Sequence, residues 1–456
     1  MYSVNQADRT AAIALASSTF DHNNQTLHDH EIVSGIDSAL TKHIALLVYK
    51  AQSEELDNKR KVSDVDKHLF GGSAEDPGRV VPDLVNSKGI ESVVEEISST
   101  CEVIEAIYRC SADSVAASFA RVGSELLPLI IQITNHEVRR RRDFAPDSTT
   151  EIGAPPEARE IVLKNTTKII GHFARVGGLT QILAYHPGLL ACLRRIIACP
   201  LGLLPRECRL NALWVTANLA CNQENMVMMA CHPGLIETLV IPAFRSIEDE
   251  EENIGDIEAY IEAIRSRDIA VRAIFNLSWE PQNKLLLSEH LNLVEALLKT
   301  LMYRKSSWGG FGRGVSGILL QSRRHASSAL RNISEAPKRN KQILCMANGG
   351  TLLDKVAAAA TNDPDNDVRE KAIATLNNLA CSATADEFVK RSSLLDTLTD
   401  TALAEVKKGE ETGTALHALR ILEKSVPTDM ANYALLKPYL DQVTAAKERV
   451  RFQVSS

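Results

Sequence analysis

The chain of 456 residues is poor in aromatic side chains, which make up 5% of it, and it lacks any pattern that gathers reactive groups. Its nine cysteines are scattered with no CxxC pair, which excludes a zinc framework and a regular disulfide scaffold. They read as small buried apolar side chains in a reducing compartment. The longest apolar run of note, LLPLII at 126–131, is far below the roughly 20 residues that a membrane span needs. The start lacks a basic segment followed by an apolar one, so no secretory signal is expected. A formal net charge of −7 with a pI near 6.0 is not the basic excess of a nucleic-acid binder. No GxSxG, HExxH or Walker-type loop occurs, and no enzyme is expected. These absences suggest a monomeric protein of the cytoplasm, extending to the nucleus, with no cofactor and no metal.

What the chain does have is alanine and leucine within a 45% apolar composition, which favours helices over strands. It also repeats itself. YHPGLLACL (185–193) and CHPGLIETL (231–239) match in register 46 positions apart, and the segments GHFA (171–174) and ANLA (217–220) keep that offset. Carried forward, the register gives Asn276 after 58 residues, Asn332 after 56 and Asn378 after 46. Backward it lands near Ile107, and beyond Asn378 it reaches Ile421. Each unit reads as a short apolar helix (ENMVMMACHPG), a second helix (GLIETLVIPAF) and a longer third one. In NDVREKAIATLNNLA (366–380), Ala372, Ile373, Leu376 and Leu379 share a stripe, and Asp363, Pro364 and Asp367 supply a start signal. Such a unit cannot bury its apolar stripe alone; stacked neighbours provide the burial.

A three-helix unit whose third helix ends in an ALxNLA-type pattern resembles the armadillo repeat, and the tryptophan of WVTANLA is similar to that of importin-α repeats. The resemblance covers roughly 90–425. It implies an all-α, right-handed α-solenoid of about six to seven repeats. The expected organisation is a polar N-terminal segment (1–85) with one helix (31–50), a repeat domain (86–425) and a C-terminal cap (426–456). Insertions are expected at 134–156, 246–264 and 303–321, emerging from one rim.

The resemblance also gives polar residues near the ends of the third helices a role. Stacked third helices would put His172, Asn218, Asn276, Asn332 and Asn378 in one row along a concave groove. There an amide can serve both the N–H and the C=O of an extended ligand backbone. The alternative is that these amides bond helix ends within the stack. The adjacent row reads Lys168, Trp214, Arg272, Ser328, Ala374. The cations Lys164, Lys168, Arg272, Arg324 and Arg331 favour an acidic or mixed extended segment, unless i,i+4 pairs neutralise them. One tryptophan flanked by Lys168 and Arg272 suits a basic nuclear-import signal poorly.

The function expected from these features is a protein-interaction scaffold or adaptor that binds an extended peptide segment in the groove. One alternative is a regulator or carrier whose rim loops engage, for example, a small GTPase or a chaperone client; another is a transport adaptor of importin-α type. Nucleic-acid binding through RRRR (139–142) is a more distant third. Gly312, Gly314 and Gly317 have GxGxxG spacing but follow no strand, and read as a flexible loop with Trp308, Phe311 and Arg313 as contact residues. His22, His28 and His30 lack a diagnostic metal spacing.

Overall fold

A computed structural model describes residues 156–200, 203–244, 257–303, 313–408, 414–426 and 431–455, with residue 98 and scattered positions between 127 and 138. Among the described residues every regular element is helical. The chain divides into two units, Met1–Asn222 and Gln223–Ser456.

In the first unit, helical positions between 127 and 138 bury Leu127, Ile130, Ile131 and Val138. A longer helix follows, α1 (Pro156–Phe173), then two short ones, α2 (Thr180–Ala184) and α3 (Leu189–Ala198), and then α4 (Arg206–Leu219). Helices α1 and α4 lie side by side, and α2 and α3 pack on α4. Polar ties join the pair: Lys164 bridges Glu160 at 3.1 Å and Glu207 at 3.6 Å, and Asn211 donates to Thr167 at 3.4 Å. The His-Pro-Gly turn before α3 places Gly188 at φ +84°, and its copy in the second unit places Gly234 at φ +75°. Only glycine adopts that left-handed conformation at little cost, which explains why the motif recurs intact.

The second unit carries four successive three-helix repeats. They are α5 (Gln223–Ala230), α6 (Leu235–Phe244) and α7 (Ile257–Ser278); α8 (Pro281–Glu289), α9 (Leu291–Met302) and α10 (Arg313–Ser334); α11 (Lys338–Met346), α12 (Leu352–Asn362) and α13 (Asn366–Leu379); and α14 (Ala385–Val389), α15 (Ser392–Lys407) and α16 (Thr414–Ser425). Equivalent helices stack on one another. The third helices run α7–α10–α13–α16, the second ones α6–α9–α12–α15, and the first helices α5, α8 and α11 form another file. Between the files lie fully buried Leu239, Leu277, Leu287, Val294, Leu297, Leu353, Leu376 and Phe388. Each large apolar side chain so buried contributes about 1.5–3 kcal/mol. A last helix, α17 (Ala431–Ser455), lies on α15 and buries Leu436 and Val443, with Asn432 donating to Asp386 at 2.7 Å.

Two third helices begin earlier than the sequence suggests. Helices α7 and α10 have 22 residues each, against 14 for α4 and α13. Eight further residues add about 12 Å at 1.5 Å per residue. The expected insertions at 246–264 and 303–321 therefore end in helix from Ile257 and Arg313. Packing explains the extension: Tyr260 and Ile264 of α7 pack with Val315 and Leu319 of α10, flanked by Ile261, Ile318 and Tyr303. Gly314 and Gly317 lie inside α10, not in a loop. The segments 139–155, 245–256 and 304–312 lie outside the described residues, as do the helix expected at 31–50, RRRR at 139–142 and His22, His28 and His30.

Among seven described cysteines, Cys221 and Cys231 are exposed, so the expectation that all are buried is corrected there; the other five are buried. Burial pushes the thiols of Cys192 and Cys345 up to about 12, which keeps both protonated and unreactive.

Candidate functional site

All the residues of the expected row sit at the end of a third helix. His172 and Asn218 are one residue from the ends of α1 and α4, Asn276 and Asn332 two from the ends of α7 and α10, and Asn378 one from the end of α13. A common helix position does not leave them equally open. His172, Asn276 and Asn332 are buried, whereas Asn218 and Asn378 are half-buried.

The second unit shows what the amides do within the stack. Asn332 donates through Nδ2 to Ser278 Oγ of the preceding third helix at 3.0 Å, and Ser278 Oγ donates to the Phe275 carbonyl at 2.6 Å. One repeat later, Asn378 donates to Ser334 Oγ at 3.1 Å and to the Arg331 carbonyl at 3.2 Å, while Ser334 Oγ donates to that carbonyl at 2.6 Å. The same relay thus occurs twice, and it ties off carbonyls that a helix end leaves unpaired. This corrects the expectation that the amides stand clear of the stack. At Asn378 both amide hydrogens serve the fold and only Oδ1 is left for a ligand, whereas Asn332 spends one hydrogen and keeps the other beside its Oδ1.

A second set of asparagines, on the first helices, went unnoticed in the sequence. Asn283, buried in α8, donates to the carbonyls of Met226 at 3.0 Å and Leu277 at 2.9 Å. Asn340, buried in α11, donates to Ser288 Oγ at 3.0 Å and to Glu289 Oε1 at 3.2 Å. The signal was available: Asn283 follows Asn276 by seven positions and Asn340 follows Asn332 by eight.

The exposed face of the third helices holds an open hollow of about 370 Å³, lined by Phe275 and Trp279 beside α7, by residues of α10 from Gln321 to Asn332, and by Asp367 and Lys371 of α13. Its floor is aromatic. Phe275 meets Trp279 edge-on with ring centroids 5.9 Å apart, and His325 stacks on Phe275 at 5.8 Å. His325 Nδ1 is also within 3.2 Å of Asp268 Oδ1. Trp279 stays 56% exposed, a large apolar surface left to water beside a concavity.

The cations of this face fall into two kinds. Arg324 is gripped by Asp365 through Nε at 3.1 Å and Nη2 at 2.7 Å, and that partner raises the Arg324 pKa and lowers the Asp365 pKa. Asp365 also caps α13 by accepting from the Val368 N–H at 3.2 Å. Lys371 lies 3.4 Å from Asp367. Beneath them Arg323 pairs with the fully buried Asp363 at 3.1 Å. Arg331 differs: it lines the hollow, and its guanidinium makes no hydrogen bond or ion pair with a described residue.

The remaining expected residues do not line this hollow. Arg272 and Asn276 lie in α7 outside its lining, Asn378 serves the relay, and Lys168, His172, Trp214 and Asn218 belong to the first unit, where Trp214 is 39% exposed. Trp279, Phe275 and His325 were missed because none occupies the repeated asparagine position or the one four residues before it. Among the described residues no group of three or more His, Cys, Asp or Glu side chains could hold a metal ion, and no single helix is long and apolar enough to cross a membrane.

No family model matches the sequence, and no curated protein does. Solved structures with a related helical organisation include a designed armadillo repeat protein, 19% identical over 71% of this chain and 99% of its own, with a TM-score of 0.36. A designed armadillo repeat protein in complex with the peptide (KR)4 is 17% identical over 70% of this chain and 99% of its own, with a TM-score of 0.36. The crystal structure of SYS-1 is 11% identical over 97% of this chain and 69% of its own, with a TM-score of 0.49. The chain is an all-α repeat protein. That rests on the stacked three-helix register itself.

Proposed function

We propose that this repeat protein is a protein-interaction scaffold, not an enzyme, and that the third-helix face of its second unit receives an extended segment of a protein partner. The observation that carries the reading is the hollow with exposed Trp279 at its side. Around it are groups still able to bond a ligand: the Trp279 Nε1–H, the Ser328 hydroxyl, the Asn332 Oδ1 and the Arg331 guanidinium. An extended segment offers backbone N–H and C=O groups that such donors and acceptors satisfy, while an aromatic floor takes up a side chain.

The test uses the full chain against a displayed library of random peptides. Selected peptides are expected to lose at least about tenfold in affinity on Trp279→Ala, and on Ser328→Arg, which fills the hollow, with helicity by circular dichroism unchanged. Binding within about twofold of the parent in both variants would remove the third-helix face from the account. Excising 304–312 separates the rim reading, since only a rim-bound partner loses affinity there.

A further inference from the structure

The cations of the hollow are not equally engaged. Two of its three permanent cations are matched directly, Arg324 by Asp365 and Lys371 by Asp367, and Asp268 is held by His325, which leaves Arg331 as the cation with no carboxylate partner among the described residues. Its unused polar groups are also mostly donors. The Arg331 guanidinium and the Trp279 indole only donate, Ser328 can donate, and the Asn332 Oδ1 is an acceptor alone. A site rich in donors, with a guanidinium that no carboxylate engages, fits an oxygen anion. A single unengaged guanidinium, with the carboxylates of Asp367 and Asp268 close by, favours a singly charged carboxylate over a phosphate dianion.

We infer that the hollow between α7, α10 and α13 is a subsite for a Glu or Asp side chain of the bound segment, read by Arg331, with a neighbouring ring or aliphatic side chain on Trp279 and Phe275. This rests on the third-helix face being a binding surface. It goes further in making Arg331, and not Arg324, the residue that selects the ligand. At Asn332 one amide hydrogen is taken by Ser278, which leaves Oδ1 and the second hydrogen for the backbone of the segment.

The probes are short acetylated peptides Ac-Gly-Phe-(Ser)n-X-Gly-NH2 with zero to two serines, in which X is Glu, phosphoserine, Gln or Lys. They are titrated into the full chain while the Trp279 indole N–H resonance, assigned through Trp279→Phe, is followed by NMR. The Glu peptide of at least one spacing is expected to shift that resonance saturably, with the Gln and Lys forms about tenfold weaker, as loss of a charge-assisted hydrogen bond implies. Arg331→Gln is expected to erase the preference for Glu over Gln. The relay accepts at the backbone carbonyl of residue 331, which this substitution leaves in place. Equal binding of Glu and Gln peptides, tighter binding of phosphoserine than Glu, or a Glu preference that survives Arg331→Gln overturns the inference. So does the absence of any shift. If peptides move Trp279 without a charge preference, the carboxylate subsite falls while the interaction surface stands.

Discussion

The first-helix and third-helix files of the second unit use the same residue type for different ends. Asn283 and Asn340 are buried, and each directs its donors into the neighbouring repeat at two acceptors. Asn332 also reaches the preceding repeat, but it borders an open hollow with its carbonyl edge unused. An asparagine repeated at a fixed point of a module therefore does not declare a ligand site. What separates the files is the company the amide keeps, an aromatic floor and an uncommitted arginine on one side, packed helix on the other.

The contrast can be broken first at the charges beneath the third-helix face. Asp363→Ala leaves Arg323 buried without its carboxylate, and an expected loss of about 3–5 kcal/mol should appear in urea unfolding. Next, Asn283→Ala removes the bonds to the carbonyls of Met226 and Leu277 and is expected to cost about 1–3 kcal/mol. Its affinity for peptides selected on the third-helix face should not change, since Asn283 does not line the hollow. Equal losses of stability and of binding would erase the distinction between the files.

Smaller effects sharpen it. Gly317 is exposed within α10, and a methyl group added there meets nothing within 4 Å, so Gly317→Ala is expected to stabilise the protein by about 0.5–1 kcal/mol. A destabilising result would mean that this stretch is not helical in solution. The smallest effect is that of pH at Asp365. Its carboxyl titrates below its ordinary value of 3.8 because Arg324 binds the ionised form. The stability it adds is therefore complete above that ordinary value and is lost as pH falls through the depressed one. Asp365→Asn keeps a capping side chain on α13 but removes the charge, and should flatten the acid decline of the thermal midpoint measured between about pH 6 and 3. An unchanged slope would show that the Arg324 pair does not form in solution.

The module itself was legible in the sequence because it rests on local signals. The His-Pro-Gly turns need a glycine at positive φ, and the third helices end where the Asn-Leu-Ala and Asn-Ile-Ser segments place them. The early starts of α7 and α10 were hidden. Acidic and glycine-rich stretches precede them, and what sustains the extra turns is contact between Tyr260, Ile264, Val315 and Leu319, residues up to 59 positions apart. The site was legible only in part, for the same reason. Nothing near Arg324 in sequence says that Asp365, 41 residues on, will hold it and leave Arg331 as the uncommitted cation. Likewise, Ser278, 54 residues earlier, takes one of the two amide hydrogens of Asn332.

That dependence on distant partners gives the most direct test. Double-mutant cycles between Asn332→Ala and Ser278→Ala, and between Asn378→Ala and Ser334→Ala, measure whether the relay recurs from repeat to repeat. Coupling of the same sign and of about 0.5–1.5 kcal/mol is predicted in both cycles. Additive losses in either cycle would contradict the claim that one copied module brings these residues into a shared register.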